Sequence, residues 1–499
     1  MVSWQQAEAR AAVLASGWTA DEPGGVVLGF DRGGVRFVRA AGLASLEHRV
    51  PFTAATPTRL ASITKHVFCA AALRDGLDLA RPLGAVVQGL SPDIAAVPLR
   101  RALDMTGGLP DLAESFGLLG IPSTASIDRP TLLELARGLP GVNFTPGHSI
   151  AYSNTGYRLA EAALSSRFDE LLARHFPGHG LFYPEDEAEP VPGLATGYWK
   201  DKEGHWQRGR YGLNFSASGG LACSAEALMR WAQQLMEGQG GTAGLWQQLA
   251  CSGRLQDGTE TGYGLGLSRV ALTGPLLWGH GGSLPGYKNH MLLAPELGAG
   301  VIVLSNREET AAYGLSLAVM AALTGMTLPG PGRLPPGLFS EEDGPFWAES
   351  TGDAVLLLGA QEPLHAGDDG TMRGLQSHLP FELRPGPEGG LEGRIGHRAV
   401  RLDAVEAEAG LDHRLLGPWR GSGFGDEARL EISLSGSGAV LRLPGIAAPP
   451  VRLRPLGRGK ALAVRPNPPG ASRFALWLEQ PDTLLLVSQR SRVLRFRRC

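Results

Sequence analysis

Ser62 and Lys65, within ASITKHV at residues 61–67, are the first pair whose types and spacing suggest chemistry. Positions i and i+3 of a helix share a face, so the lysine amine can reach the serine hydroxyl. A serine in the first turn also meets free backbone N–H groups and the positive end of the helix dipole, both of which favour developing negative charge. An unassisted serine is a poor nucleophile. A desolvated lysine, pushed below its free range, supplies a base or polarises a second one. The bland alternative is a helix cap followed by a solvated lysine, and the pair alone does not decide between them. Tyr152 and Asn154, in FTPGHSIAYSNTGY, come next. A tyrosine beside a lysine cation is held as phenolate or shares its proton, and so can carry that proton to a leaving group. Asn154 offers a donor and an acceptor, suited to hold an amide substrate or to orient Lys65. The third piece is His280-Gly281-Gly282-Ser283. Paired glycines such as Gly282 let a strand approach a ligand closely, a free N–H at Ser283 completes an oxyanion hole with that of Ser62, and His280 can hydrogen-bond a substrate or offset its charge.

Elements must hold these pieces together. GVVLGFDRGGVRFVRAAG, from Gly25, is two apolar runs around a Gly-Gly turn and predicts a β-hairpin. The alanine-rich stretch from Ser62 to Gly76 predicts a buried helix. Further helices are predicted at TLLELARGL and at SAEALMRWAQQL, the latter capped by Ser224, and AGVIVLSN has the β-branched content of a strand. Prolines and glycines cluster at 325–339 and predict a linker. Beyond it, short apolar runs such as DAVLLLG, ARLEISLSG, FALWLEQ and TLLLVSQ recur between glycine-rich turns, the pattern of barrels or sandwiches. GLFSEEDG at Gly337 and GPWRGSG at Gly417 echo each other and suggest two such units. The expected domains are therefore 1–328, 332–415 and 416–499, as a chain too long for one core requires.

Composition narrows the function classes. With 43% hydrophobic and 19% charged residues the 499-residue chain is ordinary for a globular protein, and a net charge of -3 gives no reason to expect nucleic acid or an anionic membrane as partner. Charge is uneven: from Pro418 onward there are 14 basic and 5 acidic residues, which predicts a basic face meeting an acidic one. The four cysteines lack paired spacing, the N-terminus has no basic start, and no long apolar run occurs. Together these features predict a cytoplasmic location without a membrane span. No His/Asp/Glu cluster has metal-ligand spacing and no glycine-rich loop carries a lysine for phosphate, so no cofactor is expected.

Taken jointly, Ser-x-x-Lys, then Tyr-x-Asn, then His-x-Gly resemble the penicillin-recognising serine hydrolases, the class C β-lactamase-like superfamily. ATPTRLASITK, PLRRALDMTGGLPD, SASGGLACSAEAL and YGLGLSR agree with it. The resemblance implies an α/β (α+β) catalytic domain, an antiparallel sheet with a helical subdomain, followed here by two antiparallel β-barrel domains. Carried over by position, it implies Ser62 as acyl-accepting nucleophile, Lys65 and Tyr152 as the proton-handling pair, and Asn154, His280, Gly282 and Ser283 at the substrate. β-Lactamases have lysine where this chain has His280, and a mostly neutral histidine suits a substrate carboxylate less well. The whole layout is similar to the D-stereospecific aminopeptidases, which release N-terminal D-residues from small amides, esters and short peptides. Esterase, carboxypeptidase or β-lactamase activity, and a non-catalytic binding role on the same scaffold, are the competing readings. In the aminopeptidase family the last barrel sends a loop into the cleft. Two candidates exist, 465–472 and 479–483, of which only the second carries carboxylates, Glu479 and Asp482, for a substrate ammonium. Related enzymes make a homodimer compatible with this reading.

Overall fold

The computed structural model describes residues 2–214, 216–406, 410–423, 426–436, 438–443 and 449–499. Its first part is built on a six-stranded antiparallel sheet. The strands are β1 (Gly25–Asp31), β2 (Gly34–Ala41), β3 (Ser268–Arg269), β4 (Trp278–Leu284), β5 (Tyr287–Ala294) and β6 (Ala299–Ser305), in the order β2-β1-β6-β5-β4-β3. The predicted hairpin is β1–β2, and AGVIVLS is β6, paired with β1 through Val26–Leu304 and Leu28–Ile302. Side chains alternate across a strand, so a sheet covered on both faces reads as a continuous apolar run. That accounts for β1 and β6. Val27, Val301 and Val303 face helices α1 (Trp4–Ala15) and α6 (Ala312–Thr324). Val26, Leu28, Ile302 and Leu304 face the larger core with α2 (Thr64–Arg74) and α5 (Ala225–Glu237).

Helix α2 is buried from Thr64 to Ala72, as its alanine content predicts, and α5 carries the expected cap, Ser224 Oγ accepting from Ala227 N at 3.2 Å. Ser62 does not cap α2. It sits in a preceding 3-10 turn, Ala61–Ile63, and Ile63 is the cap residue without a side-chain bond. Two shorter helices complete the frame of the site: α3 (Leu112–Leu118), capped by Asp111, and α4 (Thr155–Glu161), which begins directly after Asn154.

Beyond α6 lie two antiparallel sheets. The first, from Gly337 to Ala404, has nine strands whose two edges, Ala360–Pro363 and His365–Ala366, are one residue apart in the chain. Its edges therefore lie together and the sheet nearly closes. The second, from Gly417 to Arg498, is a closed eight-stranded barrel, completed when its last strand pairs Arg498 with Trp419. Its final hairpin joins β7 (Thr483–Val487) to β8 (Leu494–Arg498). Barrel residues Leu462, Leu485 and Val487 pack on the nine-stranded sheet with Trp347 and Leu357. Arg454 of the barrel meets Glu349 of that sheet at 3.1 Å. Leu118 and Leu119, at the end of α3, enter the barrel core beside Trp419, Leu476 and Phe496. Among the described residues no helix is long and apolar enough to cross a membrane.

Candidate active site

Ala61, immediately before Ser62, has φ 50°, a left-handed conformation that L side chains avoid, so the serine is presented on a strained turn. Strand β4 runs against that turn. A Cβ added to Gly282 would lie 2.0 Å from the Leu60 carbonyl oxygen, so only glycine lets the strand come this close. Gly266 of YGLGLSR does the same behind α2: its Cβ would lie 2.4 Å from the His66 nitrogen, and its φ of 73° also favours glycine.

Lys65 is fully buried, and its Nζ lies 3.0 Å from Ser62 Oγ, 2.8 Å from Asn154 Oδ1 and 2.7 Å from the Ser218 carbonyl. Burial pushes its pKa well below the usual lysine range; Asp111 opposes this and Arg490 adds to it. A neutral amine has two N–H bonds and one lone pair. In that form the two carbonyl oxygens take the N–H bonds and the lone pair faces the Ser62 hydroxyl. Asn154 is fixed in turn, since its backbone N and its Nδ2 both donate to Asp111 Oδ2, at 2.7 and 2.8 Å. The Asn154 carbonyl thus serves the lysine, and the amide is not free for a substrate.

Tyr152 is 5% exposed and hydrogen-bonded to Ser62. Burial raises its pKa, against the opposing effects of Arg490 and the Ser62 hydrogen bond, so it is a neutral phenol at rest. The phenolate form considered from the sequence is disfavoured because burial penalises its charge. His280 Nδ1 donates to the Gly281 carbonyl at 2.6 Å, which leaves Nε2 to accept from the Tyr263 hydroxyl at 2.9 Å. Burial, with Lys65 adding to it, keeps His280 well below its usual range. With both nitrogens engaged and no charge, it supports Tyr152, 6.0 Å away ring to ring, and offers nothing to an anion. Ser283 accepts from Lys288 at 2.6 Å through Oγ, and Lys288 is bound by Glu308 at 2.6 Å.

These side chains line a cavity of about 1230 Å³. Ser62, Tyr152, Asn154, His280, Gly282 and Ser283 are all on its wall, with Lys65 behind Ser62; Asp482 is not among the lining residues. Asp482 is 64% exposed and pairs with Arg497 at 3.2 Å, while Glu479 pairs with Arg495 at 2.9 Å, so the 479–483 turn spends its carboxylates on its own barrel. The other candidate, 465–472, borders the cavity through Asn467, Pro469, Ala471 and Ser472. The segment that reaches Tyr152 is a third one, 488–492, between β7 and β8. Arg490 N donates to Glu114 Oε2 at 2.8 Å, the Arg490 carbonyl accepts from Asp111 N at 2.8 Å, and its guanidinium lies 4.6 Å from the Tyr152 ring centre. His378, in the turn between the Met372–Arg373 and Phe381–Pro385 strands of the nine-stranded sheet, meets Tyr152 edge to face at 5.5 Å, so all three parts of the chain converge on that ring. Sequence reasoning missed Asp111, Ser218, His378 and Arg490. Asp111 stood in a segment that supported the resemblance, and Arg490 is marked only by the break in apolar alternation after TLLLV. Among the described residues no group of three or more His, Cys, Asp or Glu is gathered as a metal would need.

The beta-lactamase family profile matches residues 10–325, so the chain belongs to that family. It is 28% identical to a D-aminopeptidase of Gluconobacter oxydans over 318 residues, 61% of this chain and 59% of that one. That alignment takes in less than two thirds of the relative's own length. A D-aminopeptidase of Cereibacter sphaeroides is 25% identical over 460 residues, 87% of this chain and 86% of that one, and so includes both β-rich parts. Among solved structures, the octameric penicillin-binding protein homologue from Pyrococcus abyssi shares the fold, with a TM-score of 0.53, 18% identity and 95% of each chain covered. Family membership and site together make this chain a serine hydrolase.

Proposed function

We propose that the protein releases N-terminal D-amino acids from small amides, esters and short peptides through an acyl-enzyme on Ser62. The observation that carries this reading is the buried Lys65 amine, held 3.0 Å from Ser62 Oγ by Asn154 and Ser218, in a chain whose similarity to a D-aminopeptidase spans catalytic and β-rich parts alike. Lys65 takes the hydroxyl proton as Ser62 attacks the carbonyl carbon. The new ammonium is then faced, through Asn154, by the Asp111 carboxylate. The oxyanion is received by the N–H groups of Ser62 and Ser283, a role supported by the close run of β4 past the serine turn. Tyr152, a neutral phenol, protonates the leaving amine and is reprotonated from Lys65. Water then enters, the same groups work in reverse, and the D-amino acid leaves.

A free-amine substrate needs a carboxylate. Those lining the cavity are Asp111, Glu114 and Glu308. Asp111 is committed to Asn154 and Glu308 to Lys288, whereas Glu114 uses Oε2 for the Ser488 hydroxyl and Arg490 N, and its Oε1, 3.6 Å from Arg490 Nε, accepts no hydrogen bond from the described residues. Glu114 is accordingly assigned the substrate ammonium in place of Asp482. The partner is a small amide or peptide, a homodimer is the proposed assembly, and the unpaired cysteines, Cys69, Cys223, Cys251 and Cys499, support a cytoplasmic location.

The test is hydrolysis of D- and L-alanine p-nitroanilide by wild type and Ser62→Ala. The D-isomer is expected to be cleaved in preference, and the substitution to remove about 10⁴-fold or more of the rate. Preference for the L-isomer, or cleavage of short acyl esters alone, refutes the assignment.

A further inference from the structure

Arg490 is held in the cavity by its backbone. Its N–H donates to Glu114 Oε2 at 2.8 Å, its carbonyl accepts from Asp111 N at 2.8 Å and from Asn143 Nδ2 at 3.0 Å, and Asn143 Oδ1 takes the N–H of Arg492 at 2.8 Å. Docking of the turn therefore does not require the guanidinium. That group lies over the Tyr152 ring at 4.6 Å, with Nε donating to Gln489 Oε1 at 3.1 Å and standing 3.6 Å from Glu114 Oε1. Its two terminal nitrogens make no hydrogen bond to a described residue, the side chain is 31% exposed, and Arg490 lines the cavity. Stacking on a phenol leaves the outer edge of the guanidinium open as a planar fork, the geometry that receives a carboxylate with two parallel hydrogen bonds. The neighbouring amines do not compete for such a group: Lys65 Nζ is taken up by Ser62, Asn154 and the Ser218 carbonyl, and Lys288 is bound by Glu308.

We propose that Arg490 is a specificity-determining residue and that the preferred substrate carries a carboxylate a few bonds from its scissile carbonyl carbon, seated on the terminal nitrogens of that guanidinium. The proposal rests on the reading of Ser62 as acyl acceptor, because the ring under Arg490 is the one whose hydroxyl bonds Ser62. A carboxylate at this distance has two sources: the side chain of an acidic acyl residue, or the terminal carboxylate of the residue that leaves. Both place the same group on the same fork. A neutral His280 cannot serve either one.

The experiment measures kcat/KM for matched pairs: D-aspartyl against D-asparaginyl p-nitroanilide for the side-chain source, and D-alanylglycine against D-alanylglycinamide for the leaving-group source. In wild type, one pair is expected to favour its carboxylate member by about tenfold or more. Arg490→Gln is expected to bring that ratio near one, and Arg490→Lys, a point charge without the fork, to leave it between. Ratios within about twofold for both pairs in wild type overturn the proposal, as does Arg490→Gln lowering both members of a pair alike. Should Arg490→Gln not fold, competitive inhibition of wild type by D-aspartate against D-asparagine and by D-alanylglycine against its amide reads the same ratio. The corresponding L-acyl pairs separate the two readings: turnover of the L series in preference defeats the aminopeptidase assignment, while the carboxylate ratio within that series still reports on Arg490.

Discussion

Replacing Asp111 with asparagine tests how the lysine is managed. The carboxylate takes Asn154 N and Nδ2 on Oδ2 and Glu114 N on Oδ1. An asparagine of the same shape keeps Asn154 in place by presenting its oxygen there, and loses the α3 cap, about 1 kcal/mol of stability. The larger effect is on charge. In the proposed mechanism Lys65 gains its third proton as the reaction proceeds, and Asp111 faces it across the Asn154 amide through a 2.8 Å hydrogen bond on either side, which amounts to a separation on the order of 7 Å. With an effective dielectric near 20 the attraction is about 2.4 kcal/mol, or about 50-fold in kcat. A pH profile separates this from simple misplacement. Activity needs the free amine, so it rises as pH rises through the Lys65 pKa, and Asp111 raises that pKa. Asp111→Asn is therefore expected to move the acid limb to lower pH while lowering the plateau. Steady-state hydrolysis of a D-alanyl p-nitroanilide from pH 5 to 10 measures both. More than a third of wild-type kcat, or a loss of rate with the acid limb unmoved, would refute the reasoning.

Gly282→Ala forces a Cβ to within 2.0 Å of the Leu60 carbonyl, so β4 must retreat from the Ser62 turn. A destabilisation of about 1–3 kcal/mol in thermal melts is expected, with a fall in kcat larger than in Tm-matched controls. Leu119→Ala removes an anchor of α3 from the barrel core and is expected to cost about 2–4 kcal/mol, read by denaturant unfolding. Asp482→Ala is expected to leave kcat/KM within about twofold, since its carboxylate pairs with Arg497 outside the cavity.

Ser62, Lys65, Tyr152 and Asn154 were legible in the sequence because each lies in a short motif whose local geometry is set by one turn and one helix start. The sheet and the β-rich parts were legible for a similar reason: alternation and continuous apolar runs report burial directly. What the sequence did not reveal depends on contacts between distant segments. Arg490 and Glu114 are 376 positions apart, and no spacing rule relates them. The two cleft-loop candidates, 465–472 and 479–483, rested on length and carboxylate content, whereas the turn that docks does so through backbone groups that Glu114, Asp111 and Asn143 satisfy. His280 illustrates a further limit. Its type was read as a substrate contact, but two neighbours saturate its nitrogens, and only coordinates reveal that.

The docking of 488–492 on α3 also bears on synthesis. As the chain emerges, Ser62, Lys65 and Tyr152 are made long before the turn that walls their cavity. Throughout translation of both β-rich parts the nucleophile is present beside a cleft that lacks Arg490, and the Leu118–Leu119 end of α3 has no core to enter. The wall that carries Arg490 is thus the last piece of the cavity to be synthesised, and the finished cleft needs the whole length of the chain between Ser62 and that turn.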